Sequence, residues 1–189
     1  KSQRKGINGT ISLNAGYPTT LGGSFNLNYR REKLNLFASA GLRYRDSPGG
    51  GKGYSQWTLT DTTYSFDNKR DQRRTSLSNN FRLGSDFFLN KYNTLTFAGL
   101  YRVSDGINYT DVTYNDYNEN GDLTQTVTRE EIEDEENETQ EISASYRKTF
   151  DKKERELKAD FSYSNSDELE VAEITELTDD ANIESLYQR

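Results

Sequence analysis

Apolar and polar side chains exchange places residue by residue along much of this chain, over runs long enough for a strand to cross a bilayer. The first run sets Ile7, Gly9, Ile11, Leu13, Ala15 and Tyr17 on one parity and Asn8, Thr10, Ser12 and Asn14 on the other. Such a period of two is the mark of a two-faced β-strand. After Pro18-Thr19-Thr20 the pattern resumes, with Leu21, Phe25, Leu27 and Tyr29 against Ser24, Asn26, Asn28 and Arg30, and Arg31-Glu32-Lys33 makes a charged turn. The third run groups Leu34, Leu36, Ala38, Ala40, Leu42 and Tyr44 against Asn35, Ser39, Arg43 and Arg45, with Phe37 interrupting the polar parity. The Gly-rich stretch Ser47 to Gly53 then reads as a loop. Trp57 to Phe66 belong to a long polar excursion over residues 46–73, whose ends are open to extending the flanking strands.

The fourth run sets Leu77, Phe81, Leu83, Phe87 and Leu89 against Ser78, Asn80, Arg82 and Asp86, and Lys91-Tyr92-Asn93 turns it. The fifth groups Leu95, Phe97, Gly99, Tyr101 and Val103, although Ala98 and Leu100 blur its other face. A second polar excursion follows over residues 104–139. The sixth run places Ile142, Ala144 and Tyr146 against Ser143, Ser145 and Arg147, and Asp151 to Arg155 forms another charged turn. The seventh sets Leu157, Ala159, Phe161 and Tyr163 against Lys158, Asp160, Ser162 and Ser164. From Glu168 the acidic tail fits neither the strand period nor the helix period, and no window reads as an amphipathic helix.

Only 31% of the residues are apolar, which leaves little to fill a water-soluble core, yet aromatics reach 12%, with 13 Tyr and 9 Phe. A disordered chain would be poor in such rings. Cys and His are both absent. That removes disulfides, thiolate sites, most zinc sites and histidine acid-base chemistry, so no catalytic residues, metal ligands or cofactors are assigned and an enzyme is not expected. A formal net charge of -7 argues against a nucleic-acid partner. The chain opens Lys1-Ser2-Gln3-Arg4-Lys5, without an initiator Met or an apolar leader, and is expected to begin inside a longer precursor.

Four features favour a transmembrane barrel over a soluble sandwich. The runs reach the roughly 9–11 residues that a tilted membrane strand needs, against about 5–6 for most soluble strands. Turns near Glu32, Tyr92 and Glu154 are tight, whereas the connections over 46–73 and 104–139 are long, as between periplasmic turns and extracellular loops. Ser, Thr, Asn, Gly and Arg dominate the polar parity, as in a wet lumen. Tyr17, Tyr29, Tyr44, Phe87, Tyr101, Tyr146 and Tyr163 sit near run ends, where an interfacial girdle would lie. The expected fold is therefore an all-β, antiparallel transmembrane β-barrel. About seven strands make an odd, open wall, so residues 1–189 are read as the N-terminal portion of a larger barrel.

Several stretches carry a family resemblance: Gly9-Thr-Ile-Ser-Leu-Asn-Ala-Gly16, Phe25-Asn-Leu-Asn-Tyr-Arg30, Tyr44-Arg-Asp-Ser-Pro-Gly-Gly50 and Arg82-Leu-Gly-Ser-Asp-Phe-Phe-Leu-Asn90. Together they resemble the TonB-dependent outer-membrane receptors of the Bacteroidetes type, over most of residues 1–165. In that family a plug domain ends in Lys-rich residues, much like Lys1 to Lys5, and the first barrel strand follows. The resemblance implies a barrel of about 22 strands with a plugged lumen and active nutrient uptake at the cell outer membrane. It implies as partners outer-membrane lipid and lipopolysaccharide, the plug of the same precursor, a TonB-type energy-coupling protein and a surface lipoprotein. The substrate is not legible. The alternatives are a passive porin or envelope scaffold barrel, and a soluble β-rich binding or adhesion module.

Arg43, Arg45 and Arg82 lie on the lumen parity and are the candidate contacts for a plug carboxylate or an anionic substrate, the former favoured because a covered charge needs a partner. Asp116-Tyr-Asn118-Glu-Asn120-Gly121 resembles the start of a calcium loop, but position twelve is Val127 and no helices flank it, so an Asx-rich turn is expected. The acidic run Glu130 to Glu136 reads as a solvated loop. The sequons at Asn8, Asn108 and Asn137 are treated as chance.

Overall fold

The alternation becomes one open antiparallel sheet. A computed structural model describes residues 6–60, 62–151, 155–179 and 183–188. Its eight strands are β1 (Gly6–Gly16), β2 (Thr20–Arg30), β3 (Leu34–Thr58), β4 (Thr63–Phe88), β5 (Asn93–Tyr117), β6 (Leu123–Thr149), β7 (Glu156–Thr178) and β8 (Ile183–Gln188). They lie side by side in chain order. In the first hairpin Ile7 pairs with Tyr29, Gly9 with Leu27 and Ile11 with Phe25, so the apolar parities of both strands share one face.

Two compact units make up the chain: residues 1–44, 77–104 and 137–168, and residues 45–76, 105–136 and 169–189. In the first, no described residue is buried. Its apolar parity is open instead: Leu13 is 85% exposed, Leu83 68% and Phe161 64%. Tight turns join its strands. Arg31 N–H donates to the Leu34 carbonyl at 2.7 Å, and Asn90 Oδ1 accepts from the Tyr92 and Asn93 amides at 2.9 and 3.0 Å. The Lys1 to Lys5 resemblance and residues 152–154 of the charged turn lie outside the described residues.

In the second unit the sequence-based expectation needs correction. The excursions expected over 46–73 and 104–139 are not long loops. β3 runs on to Thr58 and β4 starts at Thr63, with Leu59 N–H donating to the Thr62 carbonyl at 2.8 Å, and β5 and β6 run on to a turn at 118–122, giving strands of 25 to 27 residues. Ser47 to Gly53 is strand, not loop. β2 has only 11 residues and cannot accompany β3 through this half, so β3 is an edge there, where Pro and Gly are tolerated. The Gln72 and Asn68 side chains cover Gly49 and Gly53, each 3.0 Å from where a Cβ would stand. The acidic run Glu130 to Glu136 lies within β6, and the tail forms the end of β7 and its pairing with β8. Among the described residues the seven strands read from sequence are all present, and the short β8 adds an eighth.

The turn at Asn118 is the expected Asx turn. Asn118 Oδ1 accepts from the Asn120 and Asp122 amides, both at 2.9 Å, and Gly121 takes a positive φ of 81° that other residues would strain to adopt.

Candidate functional site

The first unit presents two chemically distinct faces. On the polar side, Asp86 of β4 accepts from Asn35 of β3 at 3.0 Å and from Thr96 of β5 at 2.8 Å, and Ser78 bonds Ser104 at 2.8 Å. Farther along, Asp160 accepts from Ser145 at 2.8 Å and pairs with Lys158 at 3.1 Å. Short polar side chains thus satisfy one another across the strands, as cross-strand pairing requires.

A cavity of about 320 Å³ opens on this side, lined by Asn14, Ser24, Arg43, Ser78, Asn80 and Arg102 among others. Glycines make the room: the Asn80 amide lies over Gly41, its Oδ1 2.5 Å from where a Cβ would stand. Neither Arg43 nor Arg102 forms an ion pair among the described residues.

Arg82 stands elsewhere on the same side. Its guanidinium lies 5.6 Å from the centre of the Phe37 ring, and that ring covers Gly84. Phe37, which interrupts the polar parity in sequence, is thus a cover for a glycine held under a cation. Arg45 belongs to the second unit, where it is exposed. Of the three sequence candidates only Arg43 lines the polar cavity, and Arg102 joins it. The parity that placed Arg43 also puts Arg102 opposite Tyr101 and Val103; the blur at Ala98 and Leu100 hid it.

The apolar side carries two larger hollows of about 720 Å³ each. Ala38, Ala40 and Gly99 lie in one with Phe25, Tyr101 and Tyr163; Gly99 and Ala144 lie in the other with Leu36, Phe97 and Phe161. Small residues between large ones leave this surface grooved.

Aromatic rings and cations gather at the tight turns of this unit. Arg30 lies 4.2 Å over the Phe88 ring, Lys91 4.3 Å over Tyr92 and Lys148 5.1 Å over Phe150. Tyr92 donates to Asp151. Each ring offers an apolar body and a polar or cationic edge.

In the second unit polar pairing dominates. Asn108, nearly buried, donates to Glu133 at 2.9 Å and to Glu135 at 2.7 Å. Arg129 reaches Glu131 at 3.1 Å and Glu176 at 3.7 Å. Arg73 grips Asp46 through two nitrogens, and this hydrogen bonding holds the Asp46 carboxyl below its ordinary value. The Tyr117 hydroxyl donates to Asp67, which pushes the Tyr117 pKa up. Among the described residues no group of three or more acidic, His or Cys side chains is placed to hold a metal ion.

No family model matches the chain, and no curated protein matches it. Among solved structures, Clostridium perfringens delta-toxin is similar over 84% of this chain and 99% of its own, at 9% identity and a TM-score of 0.18, a likeness too slight to bear on fold or function.

Proposed function

We propose that this chain forms part of the wall of a transmembrane β-barrel in an outer membrane, and that the barrel is the importer barrel of a TonB-dependent nutrient receptor. One observation carries the membrane reading: in the first unit no described residue of the apolar parity is buried, and Leu13, Leu83 and Phe161 stand exposed, while the polar parity is stitched by hydrogen bonds. In water, so large an exposed apolar face would be a liability. In lipid it is the face that the solvent selects, and acyl chains fill its grooves. Strands β1 and β2, each of 11 residues, match the roughly 9–11 that a tilted membrane strand needs. The rings and cations at the tight turns suit a headgroup boundary.

Among the described residues, β1 and residues 156–171 of β7 each have a neighbour on one side only. Unpaired backbone groups in hydrocarbon cost several kcal/mol each, so further strands complete this wall. The second unit, whose strands carry polar and ionic pairs and which holds the buried Val112, Ala172 and Ile174, is assigned to water. The importer reading rests on the family resemblance, with a plug, an energy-coupling protein and a surface lipoprotein as the partners it brings.

Two measurements test the reading. Membranes from cells making the full precursor are washed with alkaline carbonate: an integral barrel stays in the pellet, and release into the wash overturns the proposal. In planar bilayers the intact precursor is expected to show no steady conductance, because a plug closes the lumen. A steady open channel would replace the importer with a passive porin.

A further inference from the structure

We infer that the polar cavity between β1 and β5 is a binding site for a small organic dianion, held between Arg43 and Arg102. The inference rests on the reading of this side as the wet face of the barrel and names the ligand class that face would take.

Two guanidiniums on different strands line one cavity, and neither is neutralised by a carboxylate among the described residues. Elsewhere on this side two cations do have carboxylate partners: Arg147 pairs with Glu156 at 2.9 Å and Lys158 with Asp160 at 3.1 Å. Arg82 is set over the Phe37 ring. In this cavity of the first unit, Arg43 and Arg102 are thus two cations that share a hollow without a countercharge among the described residues. Guanidinium groups present planar forks that match carboxylate oxygens two at a time.

The lining between them is made for oxygen atoms. Ser24 and Ser78 offer hydroxyls, and Asn14 and Asn80 offer amide donors. No carboxylate lines the cavity, so nothing on its walls repels an anion. At about 320 Å³ it holds the share of about ten water molecules. That is too roomy for a halide and suits a solute of about ten heavy atoms with an oxyanion group at each end. A plug carboxylate, the partner expected from sequence for Arg43, would compete for the same forks.

Succinate is the probe. The full chain in detergent is titrated with it by calorimetry, alongside the uncharged analogue succinamide. Succinate is expected to bind and succinamide not. Arg43→Gln combined with Arg102→Gln should weaken succinate binding by at least about tenfold, while Arg82→Gln leaves it unchanged. Equal binding of succinamide, or undiminished binding by the double variant, overturns the site, as does the absence of succinate binding to a chain whose circular dichroism shows it folded. The carbonate wash reads the membrane proposal separately. A chain that stays in the pellet yet ignores succinate loses only this site, and a chain that is released yet binds succinate through Arg43 and Arg102 loses only the membrane setting.

Discussion

Asp46 and Arg73 meet across β3 and β4 through two hydrogen bonds, Nε to Oδ1 at 2.9 Å and Nη2 to Oδ2 at 2.5 Å, with the carboxylate mostly covered and the guanidinium open to water. The Arg73 bonds lower the Asp46 pKa from its ordinary 3.8. A lowered carboxyl adds stability that is complete above the unfolded value and is lost as pH falls through the folded one. Asp46→Asn should therefore lie below the parent in urea midpoint at pH 7, and the gap should close only below about pH 4. A gap that widened on acidification would contradict the pairing. At Gly84 the constraint is steric: a Cβ there would stand 2.2 Å from Phe37 Cζ and 2.7 Å from the Phe97 carbonyl oxygen. The ring can turn away but the backbone cannot. Gly84→Ala is expected to cost about 1–3 kcal/mol by overpacking, and combining it with Phe37→Ala should restore only part of the loss. An unchanged unfolding midpoint in Gly84→Ala would show that Phe37 does not lie over β4.

Between residues, the sheet is held by rows of partners that hydropathy does not register. Trp57 of β3 stacks on Tyr64 and Phe66 of β4, with centroids 5.3 and 4.9 Å apart. It is the chain's one Trp, so its emission reports this hairpin alone. Replacing Tyr64 and Phe66 by Ala should shift that emission to the red and cost roughly 0.5–1.5 kcal/mol per ring pair. Emission that ignored both substitutions would return the segment to the loop expected from sequence. That expectation failed for a definable reason. A period of two is visible only where the two parities differ in hydropathy, as at Leu77 to Leu89, and there the predicted strands hold. In Asp67-Asn-Lys-Arg-Asp71 both parities are polar, and in Glu130 to Glu136 Ile132 is the one apolar residue, so the backbone can be extended while the pattern is silent. What orders these stretches is the partner across the strand: Asn115 and Tyr117 for Asp67, and Asn108 for Glu133 and Glu135. Register, not composition, brings them together. The same limit applies at the candidate site, where parity puts Arg43 and Arg82 on the polar side but only register separates Arg82, beside Phe37, from Arg102, beside the cavity.

For the molecule as a whole the question is which solvent each face was selected for, and neighbouring residues on β7 decide it. Phe161 and Ser162 are adjacent, both exposed, and point to opposite sides of one strand. If both sides met water, an Arg at either position would change stability by no more than about 0.5 kcal/mol, as exposed substitutions usually do. If the side bearing Phe161 meets hydrocarbon, Phe161→Arg must bring a guanidinium into lipid, at about 2–4 kcal/mol near the midplane. Ser162→Arg would add a cation to a wet face that already carries Lys158 beside Asp160. The expected outcome of folding the complete precursor into lipid vesicles is a lowered yield and denaturant midpoint for Phe161→Arg and near-parental values for Ser162→Arg. Equal behaviour of the two variants would mean that both faces see the same solvent. The exposed Leu13, Leu83 and Phe161 would then need a protein partner instead of a bilayer, and the barrel reading would fail with them.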